Sequence, residues 1–231
     1  MSTTASRSTP PSHPSATATD TPPTTVLDGL KAWFEPWIGV DARGLAAFRI
    51  LLGLVVASAS TERLLLVPLF FSDRGIFHRR VAIEHGDAWD WSLHLMSGRA
   101  EFQYLLVAAT IGCGLSLAVG YRTTTSAVAA WALWASACAR HDLTWGNLHT
   151  LGVQDQLCSI LLLYAAMLPA GRAWSVDAAL AAAARRRQRP AAAEPPSASH
   201  LVCSAATLGL AVQVCLVYAS SGGAKWLKSG E

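Results

Sequence analysis

Two stretches of this sequence, from Phe102 to Tyr121 and from His200 to Ala224, contain no Asp, Glu, Lys or Arg. At about 1.5 Å of rise per residue, each is long enough to cross roughly 30 Å of hydrocarbon as a helix. A segment in lipid has no water to satisfy its N–H and C=O groups. It must close those hydrogen bonds internally, and segments rich in Leu and Ala do so as helices. The expected fold is therefore all-α: a multi-pass transmembrane helical bundle of about five spans, with the lipid bilayer as its first partner. Composition points the same way, because 52% of the residues are hydrophobic and only 14% are charged, against about a quarter charged in ordinary soluble domains.

Three regions follow along the chain. Residues 1–25 are rich in Ser, Thr and Pro and lack the basic start and apolar core of a secretory signal, so a disordered tail is expected. Residues 26–43 hold Trp33, Phe34, Trp37 and Ile38 around Pro36, an aromatic cluster suited to the headgroup level ahead of a span. Residues 44–231 form the transmembrane domain. Its first span opens near Gly44, carries Arg49, and runs past Glu62 and Arg63 to Phe71. Ser72 to Glu101 reads as a polar loop with a short interfacial helix around Trp89, Trp91 and His94. The second span covers Phe102 to about Val119, and the third follows the turn at Gly120 to Thr124 and ends near Ala139. A second polar loop, Arg140 to Gly152, leads into a fourth span from about Val153 to Leu168. A basic loop at 170–199 contains a surface helix over 175–189, with Ser175 as its cap, Asp177 suited to its positive end and Arg185 to Arg187 suited to its negative end. A Pro and Ser linker precedes the fifth span, Leu201 to Ser221. No internal repeat of the kind that marks an inverted-repeat transporter is found.

Basic residues in short loops orient such a bundle. The arginines of the 170–199 loop place it on the cytoplasmic side, and parity then puts the N-terminus and Arg122 there as well. The loops at 72–101 and 140–152, and Lys225, face outward.

Charge in or beside a span is costly and draws attention to each residue that carries it. Arg49 either snorkels to the interface or is buried with an acidic partner. Asp155 stands near the outer end of its span, far from Arg49 but within reach of Glu62 and Arg63. Lys225 follows Gln213 and Tyr218 and a small Gly222-Gly223-Ala224 approach. It reads as an interface anchor, or as a base where desolvation lowers its pKa. The net charge of +3 is scattered and forms no aromatic-interleaved basic groove, which excludes nucleic acid as the partner class. His141, Asp142 and His149 lack metal-ligand spacing and read as solvated loop residues, so no metal site is expected. Cys113, Cys138, Cys158, Cys203 and Cys215 all fall in apolar segments and read as helix-packing residues. There is no GxSxG, Gly-rich phosphate loop or HExxH.

A set of short motifs in a fixed order carries a resemblance. Asp41-x-Arg43 precedes Ala46-Ala47-Phe48-Arg49-Ile50, and Phe71-Ser72-Asp73-x-Gly75-Ile76-Phe77 and Gly120-Tyr121-Arg122-Thr123 follow. Then come Asp155, Leu168-Pro169-Ala170-Gly171, Trp174-Ser175-Val176-Asp177 and Tyr218-x-x-Ser221-Gly222-x-x-Lys225. From about residue 41 onward the chain resembles the horizontally transferred transmembrane (HTTM) domain family, which includes vitamin K-dependent gamma-carboxylase. The resemblance implies a helical membrane domain and, for the carboxylases, oxidation of a reduced quinone of the vitamin K type coupled to carboxylation of peptide glutamates. It places Lys225 at the position of the family's catalytic Lys. The stretch Asn147 to Leu151 departs from the carboxylases' Asn-His-Tyr-Tyr-Leu, so no role is carried over to His149. The family pattern continues past the equivalent of Glu231 with further spans. That implies a truncated or split domain, with a partner chain supplying the missing helices. The alternatives are a non-catalytic membrane module, binding lipid or quinone or serving as a subunit of a split complex, and a truncated fragment.

Overall fold

The computed structural model describes residues 39–76, 78–85, 92–145, 152–188, 201–202 and 204–228. The N-terminal tail, the aromatic cluster around Pro36, Trp89, Trp91, Asn147, His149, the Pro and Ser linker and Cys203 lie outside the described residues. The side chains of His141, Asp142 and Lys225 do too.

Among the described residues the protein is all-helical apart from one short antiparallel pair, β1 (Val40–Asp41) with β2 (Leu201–Val202). Helix α1 starts at Ala42, and Asp41 caps it by accepting from the Arg43 backbone N–H at 2.8 Å. This cap accounts for the Asp41-x-Arg43 motif, since an Asp in extended backbone satisfies one of the orphan donors of the first turn. From Leu66 the helix widens into a π-turn, Val67–Phe71, and the two form a continuous 30-residue rod. The loop expected to hold a short interfacial helix around Trp89, Trp91 and His94 contains an earlier helix, α2 (Arg79–His85), supported by an Arg80–Glu84 pair at 2.9 Å, and a 3-10 turn at Leu93–Leu95 that includes His94. Helix α3 (Ala100–Val119) follows, then α4 (Thr123–Trp145), α5 (Gly152–Met167), α6 (Val176–Gln188) and α7 (Ala205–Lys228).

Two of these boundaries correct the sequence reading. Helix α4 runs past Ala139 through Arg140 to Trp145, because Arg140 is buried and its Nη1 donates to the His94 carbonyl at 3.0 Å. A charged residue with a tertiary partner need not end a helix. Helix α7 starts four residues late, its expected first residues being taken by the β-pair, and it continues through the Ser and Gly residues to Lys228.

Helices α1, α3, α4, α5 and α7 run alternately up and down. Val67 and Phe71 at the end of α1 pack with Val107 near the start of α3, while Arg49 near the start of α1 reaches Ala118 near the end of α3. Trp134 in α4 donates to the Asp155 carbonyl at the start of α5, and the chain after α5 returns to Arg49. Helix α7 sets out from that same end, where Val202 and Ala206 pack with Leu45, Leu168 and Ala170. The bundle thus has an Arg49 end and an Arg140 end. Its middle is a cluster of Leu52, Val56, Leu117, Trp134 and Leu162, joined by Cys113, Cys138 and Cys158.

The closest seam is between α1 and α3. Gly53 faces Gly114, and a Cβ on Gly53 would lie 2.6 Å from the Gly114 carbonyl oxygen and 2.7 Å from the Ala118 nitrogen. With Ala57 and Ala118 one turn on, both helices present small residues four apart, the spacing that lets helix backbones touch.

Two helices, Ala42–Phe71 and Ala100–Val119, are long and apolar enough to cross a membrane. In their apolar windows only 33% and 28% of residues are buried, unlike the core helix of a soluble protein. Helix α4 is diluted by Thr123, Ser126, Ser136 and Arg140, and α5 has 16 residues, about 24 Å.

Candidate functional site

At the Arg49 end, four of the sequence motifs meet. Arg49 is fully buried. Its Nη1 donates to the Ala170 carbonyl at 3.2 Å, and its Nη2 to those of Trp174 at 2.7 Å and Ala118 at 3.4 Å. Among the described residues Arg49 therefore neither snorkels nor forms a direct ion pair: the planar guanidinium gathers carbonyls from the last turn of α3 and from the segment between α5 and α6. The compensating charge whose field acts on Arg49 through space is Asp177.

Asp177 does more than complement its own helix. Its carboxylate accepts from the backbone N–H groups of Arg122 and Thr123 and from the Thr123 hydroxyl, all at 2.8 Å. It thereby caps the start of α4 from the first turn of α6. These bonds, those to Thr123 foremost, hold its carboxyl below the usual carboxylate range, helped by the nearby Arg49 charge. Ser175 caps α6 itself, accepting from the Ala178 N–H at 2.9 Å. Gly120 ends α3 with φ 78°, a left-handed conformation that glycine adopts without strain.

At the Arg140 end a second polar group forms. Arg63 Nη2 lies 2.7 Å from Asp155 Oδ1, and its guanidinium stands 4.0 Å from the centroid of the Trp134 ring. The Trp134 indole donates to the Asp155 carbonyl at 3.0 Å, so one aromatic links both members of the pair. Glu62 is exposed and takes no part among the described contacts. Deeper in, His94 Nδ1 meets Gln103 Oε1, and Gln103 Nε2 donates back to the His94 carbonyl at 2.9 Å. The Phe71 ring packs against the imidazole at 5.2 Å. Burial, with the charges of Arg140 and Arg63, pushes the His94 pKa down to about 4 although the Gln103 contact opposes the shift. His94 is therefore a neutral ring at pH 7. His94, Gln103 and Arg140 were not singled out as a group by the sequence. Nothing in their spacing announced it, since they come from three separate elements.

On α7, Gln213 is half-buried and Tyr218 is exposed. Lys225 lies in the last turn of that helix, twenty residues from its start, or about 30 Å along the axis. The described contacts do not join Gln213 or Tyr218 to either polar group. Among the described residues no cluster of three or more His, Cys, Asp or Glu forms a metal site.

The chain was compared with protein-family models, with curated proteins and with solved structures, and it matches none of them.

Proposed function

We propose that this chain is a multi-pass integral membrane protein of the HTTM type, with its N-terminus on the cytoplasmic side and its polar chemistry concentrated at the ends of the bundle. The observation that carries the reading is an apolar exterior around an interior that also holds polar side chains. Leu51, Leu54, Leu65, Leu105, Leu115 and Leu163 point outward, while Arg49, Ser60, Gln103, Thr110, Ser136 and Arg140 are buried. Water disfavours so much exposed hydrocarbon on the helices, and a bilayer favours it. The HTTM assignment draws further support from the way its motif residues Arg49, Gly120, Ala170, Trp174 and Asp177 converge on one knot although up to 128 positions apart in sequence. The experiment is extraction of the expressed protein in alkaline carbonate, with cysteine labelling from either side of the membrane. Retention in the pellet with accessibility alternating from loop to loop supports five spans, whereas release into the supernatant ends the reading.

Within this reading Lys225 is the residue assigned to proton abstraction in a quinone-linked carboxylase-type reaction, on the strength of the Tyr218 to Lys225 motif. The test is carbon dioxide incorporation with reduced quinone by the wild type and by Lys225→Ala. Activity that survives the substitution, or that is absent from both, removes the assignment. A second reading, a non-catalytic module that packs against a partner chain, is favoured by α7. From Ala211 to Ser220 only Gln213 is even half-buried, so the helix offers nearly its whole circumference. Chemical cross-linking from position 216 in native membranes separates the two, since a chain surrounded by lipid gives no protein adduct.

A further inference from the structure

Where the chain leaves α1 and comes back to begin α3, it encloses an open cavity of about 340 Å³. Arg74, Arg79 and Arg99 line it, with Asp73 and Glu101 as the acids on its wall among the described residues. Asp73 is already engaged: its Oδ2 lies 3.1 Å from Arg79 Nε, and its Oδ1 accepts from the Arg79 backbone N–H at 3.3 Å. Arg74 and Arg99 are exposed and have no ion-pair partner among the described residues. Buried Arg140 stands near enough to Asp73 and Arg79 to interact with both charges. Three guanidinium groups thus line the cavity against two carboxylates, which leaves it electropositive. The first turn of α3 adds to this potential, because Arg99 at its cap position provides no side-chain acceptor and its dipole directs positive charge the same way.

The rim is apolar. Leu69, Ile76 and Met96 are all exposed in the segments that bound the cavity. Guanidinium groups in segments that also expose apolar side chains suit a molecule with a phosphate at one end and acyl chains at the other. We propose that this cavity binds a phosphate group, presented as the headgroup of an anionic phospholipid. The phosphate chemistry follows from the arginines alone, while the lipid as its source rests on the bilayer reading above.

The test uses the full chain in nanodiscs of phosphatidylcholine, with or without about a fifth of phosphatidylglycerol, followed by quantification of the lipid retained on detergent extraction. The wild type is expected to enrich phosphatidylglycerol roughly tenfold over its bulk fraction, and Arg74→Gln/Arg99→Gln to lose that enrichment. Arg80→Gln removes a charge from exposed α2 without touching the cavity, and is expected to behave as wild type. A parallel arm measures the thermal midpoint of the detergent-purified protein with added inorganic phosphate. Stabilisation that the double variant loses, without any lipid preference, keeps the phosphate site and assigns it a soluble ligand. Equal enrichment in wild type and double variant, or no response to either probe, overturns the proposal. Carbonate extraction reads the bilayer assignment independently, so the two can fail separately.

Discussion

Arg49 and Gly120 meet as guanidinium against bare backbone: any Cβ at position 120 would overlap Arg49 Nη1. Position 120 must also sustain φ 78°. Gly120→Ala is therefore expected to destabilise the protein by more than about 1 kcal/mol from backbone strain alone, with the clash added. Thermal unfolding in detergent reads the loss, and an unchanged midpoint would mean that the knot is looser than its geometry.

Removing the guanidinium itself should cost more. Arg49→Met leaves the carbonyls of Ala118, Ala170 and Trp174 without their donor at a buried site, for an expected loss of about 3 kcal/mol. Arg49→Lys keeps the charge but cannot span carbonyls on both loops, so it is expected to recover only part of the loss. Full recovery by Lys would show that charge, and not the planar fork, holds the loops together.

The Gly53–Gly114 seam makes a prediction about volume. Gly53→Leu inserts a branched side chain where even a methyl group would sit 2.6 Å from a carbonyl oxygen, and should cost about 1–3 kcal/mol or more. Disulfide trapping of cysteines placed along α1 and α3 would report whether the helices separate. Efficient cross-linking in the Leu variant would contradict so close an approach.

His94 gives the protein a dependence on pH. Its folded pKa, about 4, lies below the ordinary 6.5. The unfolded chain therefore takes up a proton first as pH falls, so the contribution is complete above about 6.5 and is lost on the way down to about 4. The loss amounts to about 2 kcal/mol by pH 5. Thermal midpoints between pH 7.5 and pH 5 should fall for the wild type and flatten for His94→Asn. Parallel slopes would place the titration elsewhere.

Arg63 and Asp155 invite a double-mutant cycle. The pair is largely buried and shares Trp134, so a coupling of about 1 kcal/mol or more is expected between Arg63→Ala and Asp155→Ala. Additive losses would reduce it to a solvent-screened contact.

The positions of the helices were legible because hydrophobicity is written locally: the uncharged run from Phe102 predicts α3, and Ser175 with Asp177 predicts the start of α6. Reach along the helices also placed Asp155 near Arg63. What local patterns concealed were the bonds that cross the fold. Arg140 looked like the start of a loop because its acceptor, the His94 carbonyl, is 46 residues away. Asp177 looked like a charge placed for its own helix dipole, yet it caps α4 as well, 54 positions upstream. The Arg49 alternatives, interface or ion pair, both missed a ring of backbone carbonyls, for which no side-chain pattern exists.

The knot at Arg49 also sets an order of events in biosynthesis. Its acceptors Ala170 and Trp174 lie 121 and 125 residues downstream, so at ordinary translation speeds they emerge about 6 to 25 seconds after it. Through that interval α1 carries a cation whose final ligands have not been made. Closure of the knot is thus a late step of assembly, and a ribosome stalled before Ala170 leaves α1 without these two acceptors.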